Sequence, residues 1–300
     1  MHIHAARFFA FRNLTEVRLE FREGFNILAG RNGQGKTNIL EGLYLLAMPR
    51  SFRSGRYMDW VAAGAERGAT QCTLATAHGD LDLALHLENG RRSWFLDDRK
   101  VGGVADLSEH LKIVFFGPED LKLIKGGPGD RRRFLDRAIY REEPSHLARV
   151  QEYQDLVRQR NALLKDFGYG RLPVGLLESY EEQLLRRGAE LTATRARLTA
   201  ALSVEVARYW AGIQPVSGGA LRLTYRSGYC FDPTGMDAGA LLAAAEEALA
   251  GARSGDMARA VTSVGPTWTT WRSVLMTVRR APTRPRGRSE ASRPRSAWGS

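Results

Sequence analysis

Cysteine is scarce in this chain of 300 residues: only Cys72 and Cys230 are present, neither with metal-ligand spacing around it. That argues against a disulfide scaffold and a thiolate zinc site, and both read as buried free thiols. No apolar run reaches the roughly 18 residues that a membrane-spanning helix needs. Met1-His2-Ile3-His4-Ala5-Ala6-Arg7 also lacks the pattern of a signal peptide, so a soluble, cytoplasmic protein is expected, with no membrane partner. His78, His86, His110 and His146 stand alone in the sequence and read as structural or surface residues. Acid is missing from the end of the chain, where Glu290 is the sole acidic residue after Asp256.

Charge of the other sign is plentiful, with a formal net charge of +11. Residues 267–300 hold eight arginines and one acid, a net of +7, which leaves only +4 for residues 1–266. The basicity therefore argues for a nucleic-acid partner mainly through that last segment.

What is abundant near the front is glycine in a meaningful order. Gly30-Arg31-Asn32-Gly33-Gln34-Gly35-Lys36-Thr37 fits the phosphate-binding pattern G-x-x-x-x-G-K-[ST] at every fixed position. Phe25-Asn26-Ile27-Leu28-Ala29 before it reads as a short buried strand, and Asn38 to Leu46 after it as a helix with an apolar stripe. Glycines at 30, 33 and 35 permit the backbone angles that turn successive N–H groups inward, and the helix N-terminus adds partial positive charge. Lys36 is expected to reach the β- and γ-phosphates of a nucleotide, and the Thr37 hydroxyl to hold Mg²⁺.

Along the rest of the front half, short periods predict strands. His2 to Phe11 and Glu16 to Phe21 pair around Arg12-Asn13-Leu14, and Thr70 to Ala77, Asp80 to Glu88 and Arg91 to Leu96 alternate as a β-meander. Leu111 to Phe116 is a near-continuous apolar run, consistent with a strand buried on both faces. The expectation is a mixed sheet packed against one helix. From Gly129 the period becomes helical, through Leu147, Val150, Leu156, Leu163, Leu164 and Phe167, then Leu177, Tyr180, Leu184, Leu191, Leu198, Leu202 and Val206. An antiparallel pair follows, and a first helix of about 23 residues, roughly 35 Å, makes a lobe rather than an extended arm. Leu221 to Tyr225 reads as a strand and Ala238 to Gly251 as an alanine-rich helix, returning the chain to the sheet.

The P-loop, its helix Thr37 to Leu46 and the following Arg50-Ser51-Phe52-Arg53 together resemble the RecF family of bacterial DNA recombination and repair ATPases. Phe116 to Asp136, including Gly126-Gly127-Pro128-Gly129-Asp130-Arg131-Arg132-Arg133, looks like that family's central motif, and Tyr153 to Leu164 with Tyr180 to Arg195 like its helical lobe. Tyr180 stands where the family often has Trp. The resemblance runs from residue 1 to about 266. It implies an α/β P-loop NTPase of the ABC-type head class, related to the heads of SMC proteins, with a mixed sheet and an inserted helical lobe. The implied division is an ATP-binding lobe over 1–127, a helical lobe over 128–212, a return toward the ATPase lobe over 213–266, and an aberrant, disordered basic tail over 267–300.

The same resemblance implies ATP and Mg²⁺ as cofactors and an ATP-dependent homodimer clamped on DNA. It further implies gapped or single-strand/duplex junction DNA as target, RecO and RecR as partners in RecA loading, and a place in the SOS response. Arg131, Arg132 and Arg133, near Lys122 and Lys125, either neutralise DNA phosphates or form a solvated helix face paired with Asp130 and Asp136. Arg50, Arg53 and Arg56 either touch nucleotide or DNA or belong to a solvated loop. A stand-alone P-loop kinase or GTPase is the competing class, and no acid or guanine-specificity motif of its own supports it.

Two parts of the family pattern are missing. Hydrolysis needs an acid at the end of an apolar strand to help position Mg²⁺, together with a group that orients water. No such strand follows Asp256, no Ser-x-Gly-Gln signature is present, and no catalytic residue is assigned. Dimerisation and the family's weak DNA-stimulated ATPase activity are therefore both in doubt for this chain. After Ser263-Val264-Gly265-Pro266 the family continues Gly-Pro-His-x-Asp-Asp, whereas this chain reads Thr267-Trp268-Thr269-Thr270-Trp271. Codons for these residues, read one base earlier, permit His-x-Asp-Asp, and those for Arg284 to Arg288 permit Ser-Gln-Gly-Gln. The hypothesis is a one-base frameshift near Pro266. The alternatives are a non-catalytic truncated fragment and a genuine basic tail that binds nucleic acid through arginines and Trp268, Trp271 and Trp298. Sequencing the gene across codon 266 is expected to find His-x-Asp-Asp in the neighbouring frame, and a gene unable to encode it there sinks the frameshift.

Overall fold

The computed structural model describes residues 1–53, 56–168, 174–213, 219–266 and 274–280. Strict alternation in β1 (His2–Phe11) turns Ala6, Phe8 and Ala10 inward, and the chain reverses at Arg12, whose φ of +57° is left-handed, into β2 (Leu14–Glu20). The pairing sets Phe8 opposite Val17 and Phe11 opposite Leu14. After α1 (Lys36–Leu45), the strands β3 (Arg67–Thr76), β4 (Gly79–Glu88) and β5 (Arg91–Leu96) form the meander that their alternation predicts, and β6 (Arg99–Val101) adds a short strand that it does not. The six-stranded sheet has the order β2-β1-β3-β4-β5-β6, with every pair antiparallel.

The inner face of this sheet, with Phe8, Cys72, Leu74, Leu83, Leu85, Leu87 and Trp94, packs with Ile39, Tyr44 and Leu45 of α1 and with Leu46, Met48 and Trp60 in one core. Gly42 is what lets α1 approach, because a Cβ there would lie 2.6 Å from the Phe8 ring. On the opposite side of the helix, about 200° round at 3.6 residues per turn, Tyr44 meets Phe115 edge-on at 6.0 Å.

Short helices α2 (Val104–Ser108) and α3 (Lys122–Lys125) lead to α4 (Pro128–Tyr140), and then to the long pair α5 (His146–Gly168) and α6 (Val174–Ile213). The pair is antiparallel, since Glu152 and Arg160 of α5 meet Arg187 and Glu181 of α6 in falling order. At 40 residues, or about 60 Å, α6 outruns its partner and packs on β7 (Gly219–Tyr225). Helix α7 (Ala238–Arg259) runs eight residues beyond the alanine-rich stretch, to Ala260 in the left-handed region.

Buried charge ties these helices together. Arg160 donates to Glu181, to Asp256 at the end of α7 and to Thr262, all at 2.8–3.1 Å. Arg195 of α6 donates to both oxygens of Asp136 of α4 and to the Pro266 carbonyl, while His146 hydrogen-bonds Asp136 at 2.9 Å. Burial raises the Asp136 carboxyl, yet Arg195 and His146 outweigh it and hold it below the ordinary 3.8.

Four expectations are corrected. Phe25 to Ala29 and Leu111 to Phe116 belong to neither sheet, and Phe25, Ile27, Val114 and Phe116 are 103%, 88%, 79% and 88% exposed. A strand requires a hydrogen-bonded neighbour, and among the described residues none pairs with either run, so the sheet is antiparallel rather than mixed. Strand β7 does not rejoin the large sheet but pairs antiparallel with β8 (Val274–Arg280), Leu221 opposite Val278. Seven residues of the expected disordered tail are thus a strand, for which Val274-Leu275-Met276-Thr277-Val278 has the right β-branched and apolar content. Residues 267–273 and 281–300 lie outside the described residues.

Replacing Arg195 with Met keeps bulk but strands the Asp136 carboxylate. The cost is expected to be about 3–5 kcal/mol in urea unfolding. Because the folded pKa of Asp136 is lowered, its stabilisation is present above the ordinary carboxylate range and is lost as pH falls through the folded value. Urea midpoints measured from neutral to acid pH should show that acid-side loss in the parent chain and a weaker one in Arg195→Met.

Candidate functional site

The eight residues Gly30 to Thr37 form a turn, exposed except at buried Gly35 and half-buried Lys36, that runs into the first two residues of α1. Gly30, Gly33 and Gly35 have φ of +153°, +84° and +96°, the angles that a curled run of backbone N–H groups requires. Gly35 is also sterically obligatory, because a Cβ there would come within 2.5 Å of Leu14 and 2.8 Å of Asn13. Lys36 folds back over the loop, its Nζ donating to the carbonyls of Gly30 and Arg31 at 2.8 Å each. Gln34 closes the other side, accepting from the Arg31 amide at 2.8 Å. Thr37 is exposed at the mouth, beside the partly buried Lys36.

A polar brace outside the motif fixes this turn to the β1–β2 hairpin. Asn13 Nδ2 donates to the Gly33 carbonyl at 2.7 Å, Asn38 Nδ2 to Asn13 Oδ1 at 2.6 Å, and Arg53 to Asn38 Oδ1 at 2.6 Å. Beneath it Glu41, fully buried, takes Arg12 Nε and Nη2 at 3.1 and 2.7 Å and the Ser51 hydroxyl at 2.5 Å. Sequence reasoning found the loop but not the brace. Its signal was a glutamate in the inward stripe with Ile39, Gly42 and Leu45, where an unpaired charge would be very costly.

The other predicted residues are elsewhere. Arg131, Arg132 and Arg133 lie in the first turns of α4, where Arg131 donates to the Gly126 carbonyl at 3.2 Å and exposed Arg133 pairs with Asp130 at 2.5 Å. Arg132 is partly buried, and its pKa is lowered, first by burial and then by the nearby Arg195 charge. Of the arginines after the P-loop helix, Arg53 joins the brace, while Arg50 and Arg56 are exposed.

The turn suits a polyphosphate: curled amides, one lysine and a helix N-terminus. For a divalent cation the fit is partial. Thr37 is available, but the nearest helical acid, Glu41, is consumed by Arg12 and Ser51, and no cluster of three or more His, Cys, Asp or Glu exists among the described residues.

No family model matches the chain. Among curated proteins, the DNA replication and repair protein RecF of Myxococcus xanthus is 34% identical over 267 residues, which is 89% of this chain and 68% of that protein. Its counterpart in Symbiobacterium thermophilum is 35% identical over 274 residues, covering 89% and 70%. The chain belongs to the RecF family. Among solved structures, the recombination mediator protein RecF with ATP superposes with a TM-score of 0.82 at 25% identity, over 92% of this chain and 73% of that one. The fold is accordingly that of the RecF ATPase head. Within this RecF-family chain the brace is testable directly: Glu41→Ala leaves two arginines without their carboxylate. It should cost about 3 kcal/mol in chemical unfolding, with faster amide exchange across residues 30–37.

Proposed function

We propose that this chain is a nucleotide-binding protein of DNA replication and repair that grips the phosphates of ATP with Gly30, Arg31, Asn32, Gly33, Gln34, Gly35, Lys36 and Thr37. The observation that carries this reading is the pre-curled loop, with three positive-φ glycines and Lys36 Nζ held over it at 2.8 Å from two carbonyls. A bound phosphate would take over the lysine from those carbonyls, and Thr37 would give Mg²⁺ its protein oxygen. ATP in the RecF structure supports the choice of nucleotide.

Beyond ATP, the reading follows the family. DNA with gaps or single-strand/duplex junctions is the proposed target, RecO and RecR the proposed partners, and RecA loading with the SOS response the setting, in the cytoplasm. No helix among the described residues is long and apolar enough to cross a membrane. Of the arginine triplet, exposed Arg133 is best placed to reach a DNA phosphate, with Arg131 and Arg132 behind it. Turnover is not part of the proposal, because no strand-borne acid next to the loop is present among the described residues.

Calorimetric titration with ATP and Mg²⁺ should detect one site, and Lys36→Ala should weaken it at least tenfold. ATP hydrolysis should stay at background with or without gapped DNA. Binding unchanged by Lys36→Ala would overturn the site, and hydrolysis abolished by it would overturn the non-catalytic reading.

A further inference from the structure

One face of the six-stranded sheet builds the core, and the other carries a pattern that the fold does not need. Alternate residues along a strand share a face, so the register gives the outward rows. One row crosses the sheet through Phe9, Ala69, His86 and Ser93, and the next through Arg18, Arg7, Gln71, Ala84, Phe95 and Lys100. Three rings stand in these rows with alanines between them. Phe9 and His86 are exposed and two strand spacings apart, roughly 10 Å. The His86 ring lies 4.5 Å from that of half-buried Phe95.

Arginines flank the rings on both sides. Arg7 and Arg18 are directly opposite each other and share the one carboxylate of Glu16, at 3.0 and 3.1 Å. Like charges so placed lower the stability of a sheet, so the fold gains nothing from the pair. On the other side Arg67, Glu88 and Arg91 stand in register on β3, β4 and β5, and among the described residues none of the three forms an ion pair. Two open hollows meet at Glu88 and Asn89. One, of about 390 Å³, is lined by Phe9 and Arg67, and the other, of about 450 Å³, by His86, Arg91 and Phe95.

We infer that this face is a stacking platform for single-stranded DNA, with bases laid on Phe9, His86 and Phe95 and phosphates met by Arg7, Arg18, Arg67, Arg91 and Lys100. A duplex keeps its bases stacked inside, whereas a single strand has free π-faces that aromatic side chains hold. A lone nucleotide is the poorer fit, because small-molecule sites enclose most of their ligand and these hollows are open and continue into one another. Glu88, between the arginines, is left to accept from a base amino group. The platform rests on the DNA-binding reading and gives the single strand a place separate from Arg133 on α4.

Fluorescence anisotropy of the full chain with a labelled mixed-sequence single strand, and with the same strand annealed to its complement, provides the test. Phe9→Ala with Phe95→Ala should weaken single-strand binding at least tenfold and duplex binding less than twofold, while Phe9→Tyr with Phe95→Tyr should keep the parent affinity. Arg7→Ala with Arg91→Ala, both at exposed positions, should lower the log–log salt slope for the single strand by about 1.4. Where the double alanine variant melts early, His86→Ala, also exposed, is the substitute, with about fivefold loss. Equal losses on single strand and duplex, or no loss on either, would overturn the platform. Duplex binding without single-strand binding removes the platform and leaves the DNA reading standing, and binding to neither removes both. A lower sedimentation mass of the substituted chain with DNA binding unchanged would assign the face to a second copy instead.

Discussion

An extended backbone can lie within a protein only where its N–H and C=O groups are paired, and that constraint separates the well-formed parts of this chain from the exposed ones. Where a hairpin or meander supplies the neighbour locally, as from β1 to β6, the sheet is complete and its inner face is buried. Residues 25–29 and 111–116 pair with no strand among the described residues, and Phe25, Ile27, Val114 and Phe116 remain in solvent. The phosphate loop hangs between these regimes. It is held by the complete sheet, through Asn13 and Glu41, and preceded by a segment that pairs with no strand among the described residues.

The helical side solves its packing with charge rather than with apolar contact alone. Arg160 and Arg195, both buried, join α5, α6 and α7 in the first case and α4 and α6 in the second to the segment that returns after α7. Such networks add little net stability compared with apolar packing, but they make wrong arrangements expensive, since any misplacement leaves a charge unpaired in a dry interior. Residues 256–266 are thereby fixed in register against α5 and α6. Asn161 accepts from both the backbone amide and the hydroxyl of Thr262 at 2.7 Å. The point at which the resemblance to the family stops is thus among the most firmly tied places in the fold.

Local pattern made much of this legible. The hairpin, the meander, α1 and the helical pair follow from periods of 2 and 3.6, and the eight residues from Gly30 follow from a spacing that few other chemistries require. What periodicity could not reveal was context. Phe25 to Ala29 and Leu111 to Phe116 have the composition of buried strands, but burial depends on residues elsewhere in the chain. Likewise Arg131 to Arg133 read as a basic cluster, and only the folded helix separates exposed Arg133 from Arg132, which lies near Arg195 and Asp136. The brace of Asn13, Asn38, Arg53 and Glu41 was invisible for the same reason. Its members are scattered over forty residues and meet only when the hairpin turn reaches the loop.

The exposed segments also bear on the loop energetically. Burying a large apolar side chain contributes about 1.5–3 kcal/mol. Four of them, at 25, 27, 114 and 116, therefore represent an amount comparable with the entire 5–15 kcal/mol that keeps a typical domain folded. Ala29 is covalently continuous with Gly30, so whatever covers Phe25 and Ile27 also fixes the entrance to the cradle. Ordering that entrance lowers the entropy lost when phosphate is gripped, and the gain is reciprocal, because a ligand that orders the loop favours the covered state by the same factor.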